Sequence, residues 1–330
     1  MTHPWPAGAA TGVGSLPGTD IAEALRVVFG ELPDLPHLPE LPARGAGADM
    51  VGRGATLLAE LPVEIQPSGW RLTARPGRDL RRARDFLEHD LDALEAAAEG
   101  YAGPLKVQVA GPWTLAASLE LPSGHRVVSD HGAVRDLAGS LAEGLRAHLA
   151  ELARRVPAAT IVTQLDEPSI PDVLAARIPT PSGYGTVRGV EASTVEQTLG
   201  DVLTVIPDGQ RVVHCCAADA PIALLRGGGA NAISLDASQP YDQDALGEAV
   251  EAGTSLWLGV VPGTDATISL DAAREPVRKL WRELGFGDTS LATGVVPTPA
   301  CGLAGASPAY ARRALQVVRD VGRSLRDLEA

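Results

Sequence analysis

The fold of this chain is decided by residues 211–261, which read RVVHCCAADAPIALLRGGGANAISLDASQPYDQDALGEAVEAGTSLWLGVV. Three short apolar runs alternate here with two segments of helical periodicity. The runs are 211–215, 231–235 and 255–261, and the helical segments are 219–226 and 242–252. Strands that alternate with helices at this spacing are typical of βαβ units, which build parallel sheets. The stretch therefore predicts an α/β fold.

The same alternation extends outward along the rest of the chain. Further candidate strands lie at 11–16, 36–41, 105–110, 159–165 and 291–296. Further helical patterns lie at 20–29, 79–99, 132–155, 193–205, 270–284 and 307–327. Eight β runs with interleaved helices predict a single (β/α)₈ TIM barrel, and a length of 330 residues suits one such domain over residues 1–330. An open doubly wound sheet is the alternative.

Two excursions interrupt this rhythm. Residues 62–75 predict a β-hairpin after the second strand, with its turn at 67–69. Residues 171–190 are rich in Pro and Gly and predict a long loop after the fourth strand. The prolines of 36–41 suit an extended or edge segment better than a central strand.

Charge and hydropathy exclude some classes of partner. The net charge is −13 at pH 7, which argues against nucleic acid and against anionic membranes as ligands. The sequence contains no run of eighteen apolar residues, and its first residues lack the basic start and apolar stretch of a signal peptide. We therefore expect a cytoplasmic protein.

Chemically reactive residues follow the predicted strands at their carboxyl ends. They are Gly14 and Ser15 after the first strand, Asp166 after the fourth, His214 and Cys216 after the fifth, Asp236 after the sixth and Cys301 after the last. Barrel enzymes build their active sites at this end of the barrel. The pattern predicts an active site there.

Cysteine usage points to a metal. Three cysteines are too few for a disulfide framework in a chain of this length. Side chains alternate along a strand, so His214 and Cys216 face the same side, where Asp236 and Cys301 can join them in a tetrahedral zinc site. Cys215 faces the other way and is expected to pack as a small hydrophobic residue. The alternative is that all three are buried thiols without a ligand role.

Five segments in the same order resemble one known family. They are GVGSLP at 12–17, QLDEP at 164–168, HCC at 214–216, ISLD at 233–236 and PACGL at 299–303. Together they are similar to the motifs of the C-terminal catalytic barrel of cobalamin-independent methionine synthase. The resemblance runs from residue 11 to about residue 305.

The resemblance implies a role for each of these positions. His214, Cys216, Asp236 and Cys301 would bind Zn²⁺, with Asp236 standing where the family has glutamate. Val13, Gly14 and Ser15 would bind the carboxylate of an amino acid substrate. Asp166, the expected catalytic residue, would accept hydrogen bonds from the α-amino group. A further family glutamate aligns near Arg44, and Glu40 is the nearby residue that can replace it.

The implied activity is zinc-dependent methyl transfer to a thiol such as homocysteine. Zinc removes the proton of a bound thiol, so the sulfur becomes a nucleophile that attacks an activated methyl group. The donor would be methyl-folate or a methyl-corrinoid protein. The family's proton-donating histidine is missing from residues 259–264 (GVVPGT), and these 330 residues match only one of its two barrels, so we expect the corrinoid as donor.

Two other functions remain open. One is a corrinoid-dependent methyltransferase that acts on another thiol. The other is a non-catalytic relative that binds zinc or an amino acid. Uroporphyrinogen decarboxylase shares the barrel, but it needs no metal and so leaves the cysteines without a role.

Overall fold

The computed structural model describes residues 3–327 and has an α/β architecture. Six parallel strands form one curled half-barrel sheet in the order β3-β4-β5-β6-β7-β8, and β1 pairs with β2 in a separate antiparallel sheet. The strands are β1 Val63–Gln66, β2 Gly69–Leu72, β3 Pro104–Ala110, β4 Thr160–Asp166, β5 Arg211–Cys215, β6 Ala232–Asp236, β7 Ser255–Val261 and β8 Val295–Pro299. No helix in this part of the chain combines the length and apolarity needed to cross a membrane.

Helices follow the strands and cover the outer face of the sheet. They are α1 Ile21–Glu31, α2 Met50–Thr56, α3 Arg78–Ala97, α4 Pro112–Ser118, α5 His131–Arg155, α6 Ile170–Leu174, α7 Ala192–Leu203, α8 Ile222–Gly227, α9 Gln243–Glu251, α10 Leu270–Glu283, α11 Leu291–Gly294 and α12 Pro308–Arg326. Side-chain oxygens cap many of their first turns, as Asp20 does for α1 and Asp130 for α5. The hairpin predicted at 62–75 is confirmed by β1 and β2.

The segments at 11–16 and 36–41, predicted as strands, form isolated parallel bridges instead. Ser15 bridges Glu40, and His37 bridges Lys106. The backbone N–H of Thr11 also donates to the Pro297 carbonyl of β8 (3.3 Å). Pro36 and Pro39 have no N–H to donate, which limits the hydrogen bonding of residues 36–41; residues 11–16 contain no proline, and nothing in the structure explains why their pairing stays short.

Two other predictions need correction. Leu291–Gly294 forms α11 rather than the start of the last strand, because this helical turn buries Leu291 and Ala292, and β8 begins at Val295. The predicted loop 171–190 starts inside α6, where a proline at the first turn suits a helix start. The short helices α2 and α4 escaped prediction because seven residues are too few to show periodicity.

Glu31 joins the first helix to the last. It is buried on α1, and its carboxylate accepts hydrogen bonds from Arg312 (2.7 Å), Gln316 (3.1 Å) and Arg319 (2.8 Å) of α12. Burial opposes ionisation of this carboxyl, but the hydrogen bonds from Arg312 and Gln316 and the two guanidinium charges outweigh it and lower the pKa of Glu31.

We expect Glu31→Gln to reduce the free energy of unfolding by about 1–3 kcal/mol at pH 7, because a charged hydrogen-bond acceptor is lost. A lowered folded-state pKa stabilises above the unfolded carboxyl pKa of about 4.3, and this contribution disappears as the pH falls through the folded-state value. The difference in urea midpoint between wild type and the variant should therefore be larger at pH 7 than at pH 3. An equal difference at both pH values would contradict this role.

Candidate metal and amino acid site

Three of the predicted metal ligands lie together at the carboxyl end of the sheet. His214 belongs to β5, Cys216 directly follows it, and Cys301 follows β8. One ligand atom from each lies within 4.8 Å of the others, and the two sulfur atoms are 3.4 Å apart. Two thiolates and one imidazole are a donor set that zinc prefers.

The ring of His214 is held in place by the neighbouring strand. His214 and Ser234 are register partners on β5 and β6, and the His214 Nδ1 atom lies 2.9 Å from the Ser234 Oγ atom. The other ring nitrogen, Nε2, is buried and has no hydrogen-bond partner within residues 3–327. A buried nitrogen that is left unpartnered fits a metal ligand, because the metal supplies the missing partner.

Because their sulfur atoms are in contact, Cys216 and Cys301 have pKa values that shift in opposite directions. The hydrogen bond from Cys216 and the neighbouring His214 lower the pKa of Cys301 to about 4, whereas the same sulfur contact and burial raise the pKa of Cys216. The pair of sulfurs therefore loses its first proton readily and its second proton only with difficulty. A cation that binds both sulfurs removes the remaining proton, since a metal stabilises the second thiolate.

Asp236 lies outside this group of three. Its Oδ1 atom accepts hydrogen bonds from the backbone N–H (2.9 Å) and the hydroxyl (2.7 Å) of Ser238. This turn holds the short carboxylate at the end of β6. Asp236 and Cys301 nevertheless line the same cavity of about 590 Å³, with residues 259–264 forming another of its walls.

The segment Val13, Gly14 and Ser15 packs against the loop that carries Cys301. The Ser15 carbonyl accepts a hydrogen bond from the Leu303 N–H (2.8 Å). A Cβ atom on Gly302 would lie 2.1 Å from the Ser15 Oγ atom, so the glycine is what allows the close approach. The predicted carboxylate-binding segment is thus next to the cysteine.

Asp166 and Glu40 are two buried carboxylates near this segment. Asp166 is the register partner of His214, and its Oδ1 atom accepts a hydrogen bond from Gln164 Nε2 (2.6 Å). Burial raises the pKa of Asp166, although His214 and Lys106 oppose the shift. Burial also raises the pKa of Glu40 to about 7, with Arg53 opposing and Asp166 adding to it. Two acidic groups in one buried region suit an ammonium ligand.

The structure places several residues around the site that the sequence did not predict to belong to it. Lys106 and Gln108 of β3 are buried beneath it, and Ser234 holds His214. Glu167 accepts hydrogen bonds from the backbone N–H groups of Trp113 (2.9 Å) and Thr114 (2.7 Å), which caps α4. One signal was available, because a lysine inside an apolar strand is rarely buried without a partner.

Ser234→Ala should weaken zinc binding by about tenfold to a hundredfold, because the partner that fixes the metal-binding ring is lost. Competition with a chromophoric chelator measures this affinity. The hydroxyl contributes little to the core, so the melting temperature of the metal-free protein should change much less. Unchanged zinc affinity would show that Ser234 does not orient the ring.

Comparison with known proteins agrees with this geometry. The family model described as cobalamin-independent synthase, catalytic domain, matches residues 8–324. A B12-independent methionine synthase from Shewanella sp. W3-18-1, solved in complex with selenomethionine, superposes with a TM-score of 0.63 at 14% identity over 98% of each chain. That identity supports a likeness of fold. Comparison with curated proteins gives no match.

Two other solved structures are more distant. A tryptophan synthase complex from Pyrococcus furiosus gives a TM-score of 0.41 at 10% identity over 98% of each chain. The GH5_18 protein from Streptomyces cattleya gives 0.46 at 15% identity, over 96% of this chain and 80% of its own. Scores this low add nothing about function. The match over residues 8–324 is what identifies the chain: it belongs to the family of cobalamin-independent synthase catalytic domains and is a methyltransferase of the methionine synthase class.

Proposed function

We propose that the chain methylates the sulfur of homocysteine to give methionine, with Zn²⁺ held by His214, Cys216 and Cys301. The observation that carries this proposal is the position of the three ligand atoms, within 4.8 Å of one another and beside the buried Asp166. A thiol-activating group and an ammonium-binding group are thereby close together. A short amino acid with a terminal thiol is the substrate that matches both.

Bound zinc would supply one chemical contribution, which is to keep the substrate sulfur deprotonated. The protein's own residues bind and orient the amino acid. Asp166 and Glu40 accept hydrogen bonds from its ammonium group, and the Ser15 hydroxyl and the amides of Val13, Gly14 and Ser15 bind its carboxylate. With both ends of the substrate fixed, the sulfur is held for attack on the methyl group.

Asp236 remains our candidate for the fourth protein ligand. Its Oδ1 atom is engaged by Ser238, while its Oδ2 atom has a long contact of 3.5 Å with Gln239 Nε2. Asp236 also lines the cavity that Cys301 lines. We propose that the Asp236 carboxylate turns toward that cavity when a cation is bound.

We infer further that residues 11–16 and 36–41 complete an eight-stranded barrel. The first segment makes a backbone hydrogen bond to β8, and the second makes backbone hydrogen bonds to β3. A single domain over residues 1–330 follows from that closure and stays a prediction, as does the cytoplasmic location.

The methyl donor we propose is methyl-folate: the bond between sulfur and the methyl carbon would form as the bond from that carbon to the folate N5 breaks, and N5 would take up a proton from solvent as tetrahydrofolate leaves. The family is described as cobalamin-independent and uses methyl-folate, so the expectation of a methyl-corrinoid donor has no support. The cavity of about 590 Å³ beside Cys301 offers a place for the donor, and the small residues Gly259, Gly263 and Gly302 line it.

The test is methyl transfer by the purified, zinc-loaded protein. Homocysteine and methyl-labelled 5-methyltetrahydrofolate, with one or three glutamates, are the substrates, and mass spectrometry detects labelled methionine. We expect label in methionine that depends on enzyme and zinc. Stoichiometric zinc and tight methionine binding without any label would overturn the proposal and identify a non-catalytic binding protein.

A further inference from the structure

Lys106 is the third residue of β3 and is fully buried. Its Nζ atom donates to the Val13 carbonyl (2.7 Å), to Gln108 Oε1 (3.1 Å) and to Gln164 Oε1 (3.0 Å). An ammonium group has three donors, and all three have acceptors here. Burying a charge is costly unless it is fully hydrogen-bonded, so this arrangement points to a specific role.

The first acceptor of Lys106 belongs to the proposed carboxylate-binding segment. The Val13 carbonyl and the Gly14 N–H lie in one planar peptide unit and point in opposite directions. A hydrogen bond that fixes the carbonyl therefore also fixes the direction of the Gly14 N–H. Lys106 thus holds this amide in one orientation without reaching the ligand itself.

The Gln164 contact determines how Asp166 is held. An ammonium group only donates, so the Gln164 oxygen must face Lys106 and the Gln164 Nε2 atom must face away. That nitrogen donates to Asp166 Oδ1 (2.6 Å) and to the Val13 carbonyl (2.9 Å). With Lys106 in place, Gln164 has one amide orientation and Asp166 has a fixed donor.

Burial lowers the pKa of Lys106 to about 7, although Asp166 and Glu40 oppose the shift, so the ionised lysine and the ionised carboxylates stabilise one another. Asp166 and Glu40 are both buried, and Asp166 disfavours the charged form of Glu40, while the lysine charge favours ionisation of both carboxyls. An ammonium-binding site needs ionised carboxylates. The ionised lysine therefore favours the charge of both carboxylates and, through Gln164, fixes the position of Asp166.

We propose that Lys106 is a positioning residue for the amino acid part of the substrate, acting through Val13, Gln164 and the two carboxylates. This inference rests on the proposed function, in which that subsite binds homocysteine. Lys106 should accordingly affect thiols with an amino acid group far more than thiols without one.

Lys106→Met tests this, because methionine has a similar length and no charge. We expect KM for homocysteine to rise about tenfold to a hundredfold, the loss expected for hydrogen bonds of a charged group, while kcat falls by less. The ratio of kcat/KM for homocysteine to that for propane-1-thiol should fall at least about tenfold. Equal losses for both thiols, or an unchanged KM for homocysteine, would show that the lysine only supports the fold.

Gln164→Met provides a second variant should the lysine variant fail to fold. It keeps the ammonium group and removes the link to Asp166, so the same selective loss is expected. Calorimetric binding of L-methionine to the zinc-loaded protein separates this inference from the proposed function. A wild type that binds methionine but transfers no methyl group refutes the function alone, whereas Lys106→Met and Gln164→Met proteins that bind methionine as tightly as wild type refute the inference.

Discussion

The Cys301→Ser protein is expected to bind zinc more than about a hundredfold more weakly than wild type and to lose methyl transfer. A serine hydroxyl is a poor zinc ligand at neutral pH, whereas the Cys301 thiol ionises readily, with a pKa of about 4. Only His214 and Cys216 of the group of three would remain. Metal content after dialysis against a chelator, measured by mass spectrometry, gives the result directly.

Cys215→Ala is the matched control for this experiment. Cys215 adjoins Cys216 in the sequence, but its side chain is fully buried in the hydrophobic core. Burial raises the pKa of its thiol to about 12, so it is not a thiolate at neutral pH. The control should keep one zinc per chain. A Cys301→Ser protein that also keeps one zinc at wild-type affinity would contradict the assignment of Cys301.

Asp166→Asn should raise KM for homocysteine by about a hundredfold and leave the zinc content unchanged. The amide has the shape of the carboxylate but not its charge, so it cannot stabilise the substrate ammonium group. Its oxygen can still accept the hydrogen bond that Gln164 Nε2 now donates to Asp166, and the N–H₂ group then faces the substrate ammonium group, donor against donor. Steady-state kinetics with homocysteine, together with metal analysis, measure both quantities.

The two measurements separate a role of Asp166 in zinc binding from a role in binding the substrate ammonium group. If Asp166→Asn also lost zinc, the carboxylate would belong to the metal site, since it is the register partner of His214. If KM for homocysteine stayed within about twofold of wild type, Asp166 would not bind the ammonium group.

The strand-end residues were predictable from the sequence because parallel strands bring their carboxyl ends to one edge of a sheet. That rule placed His214, Cys216 and Cys301 at the same edge, although Cys216 and Cys301 are 85 positions apart. The rule says nothing about where a side chain turns after the strand ends. The hydrogen bonds of Asp236 to Ser238 were therefore not predictable.

Residues 11–16 and 36–41 were predicted as full strands, but their backbones form fewer hydrogen bonds than a strand requires. Their apolar residues give a β pattern, but both form only isolated bridges such as Ser15 to Glu40, and in residues 36–41 Pro36 and Pro39 remove two N–H donors. The hydrogen bonds of Lys106 could not be predicted from the sequence for another reason. The residues that form them come from positions 13, 106, 108 and 164, and only the folded sheet brings them together.

The number of sulfur atoms around bound zinc tests the central claim most directly. Zinc K-edge X-ray absorption on the purified protein should show two sulfur ligands and at least one imidazole nitrogen, and a third sulfur after homocysteine is added. Zinc with no sulfur ligand, or a sulfur count that homocysteine leaves unchanged, would contradict a shared site in which Cys216 and Cys301 hold the metal and the substrate thiol joins it.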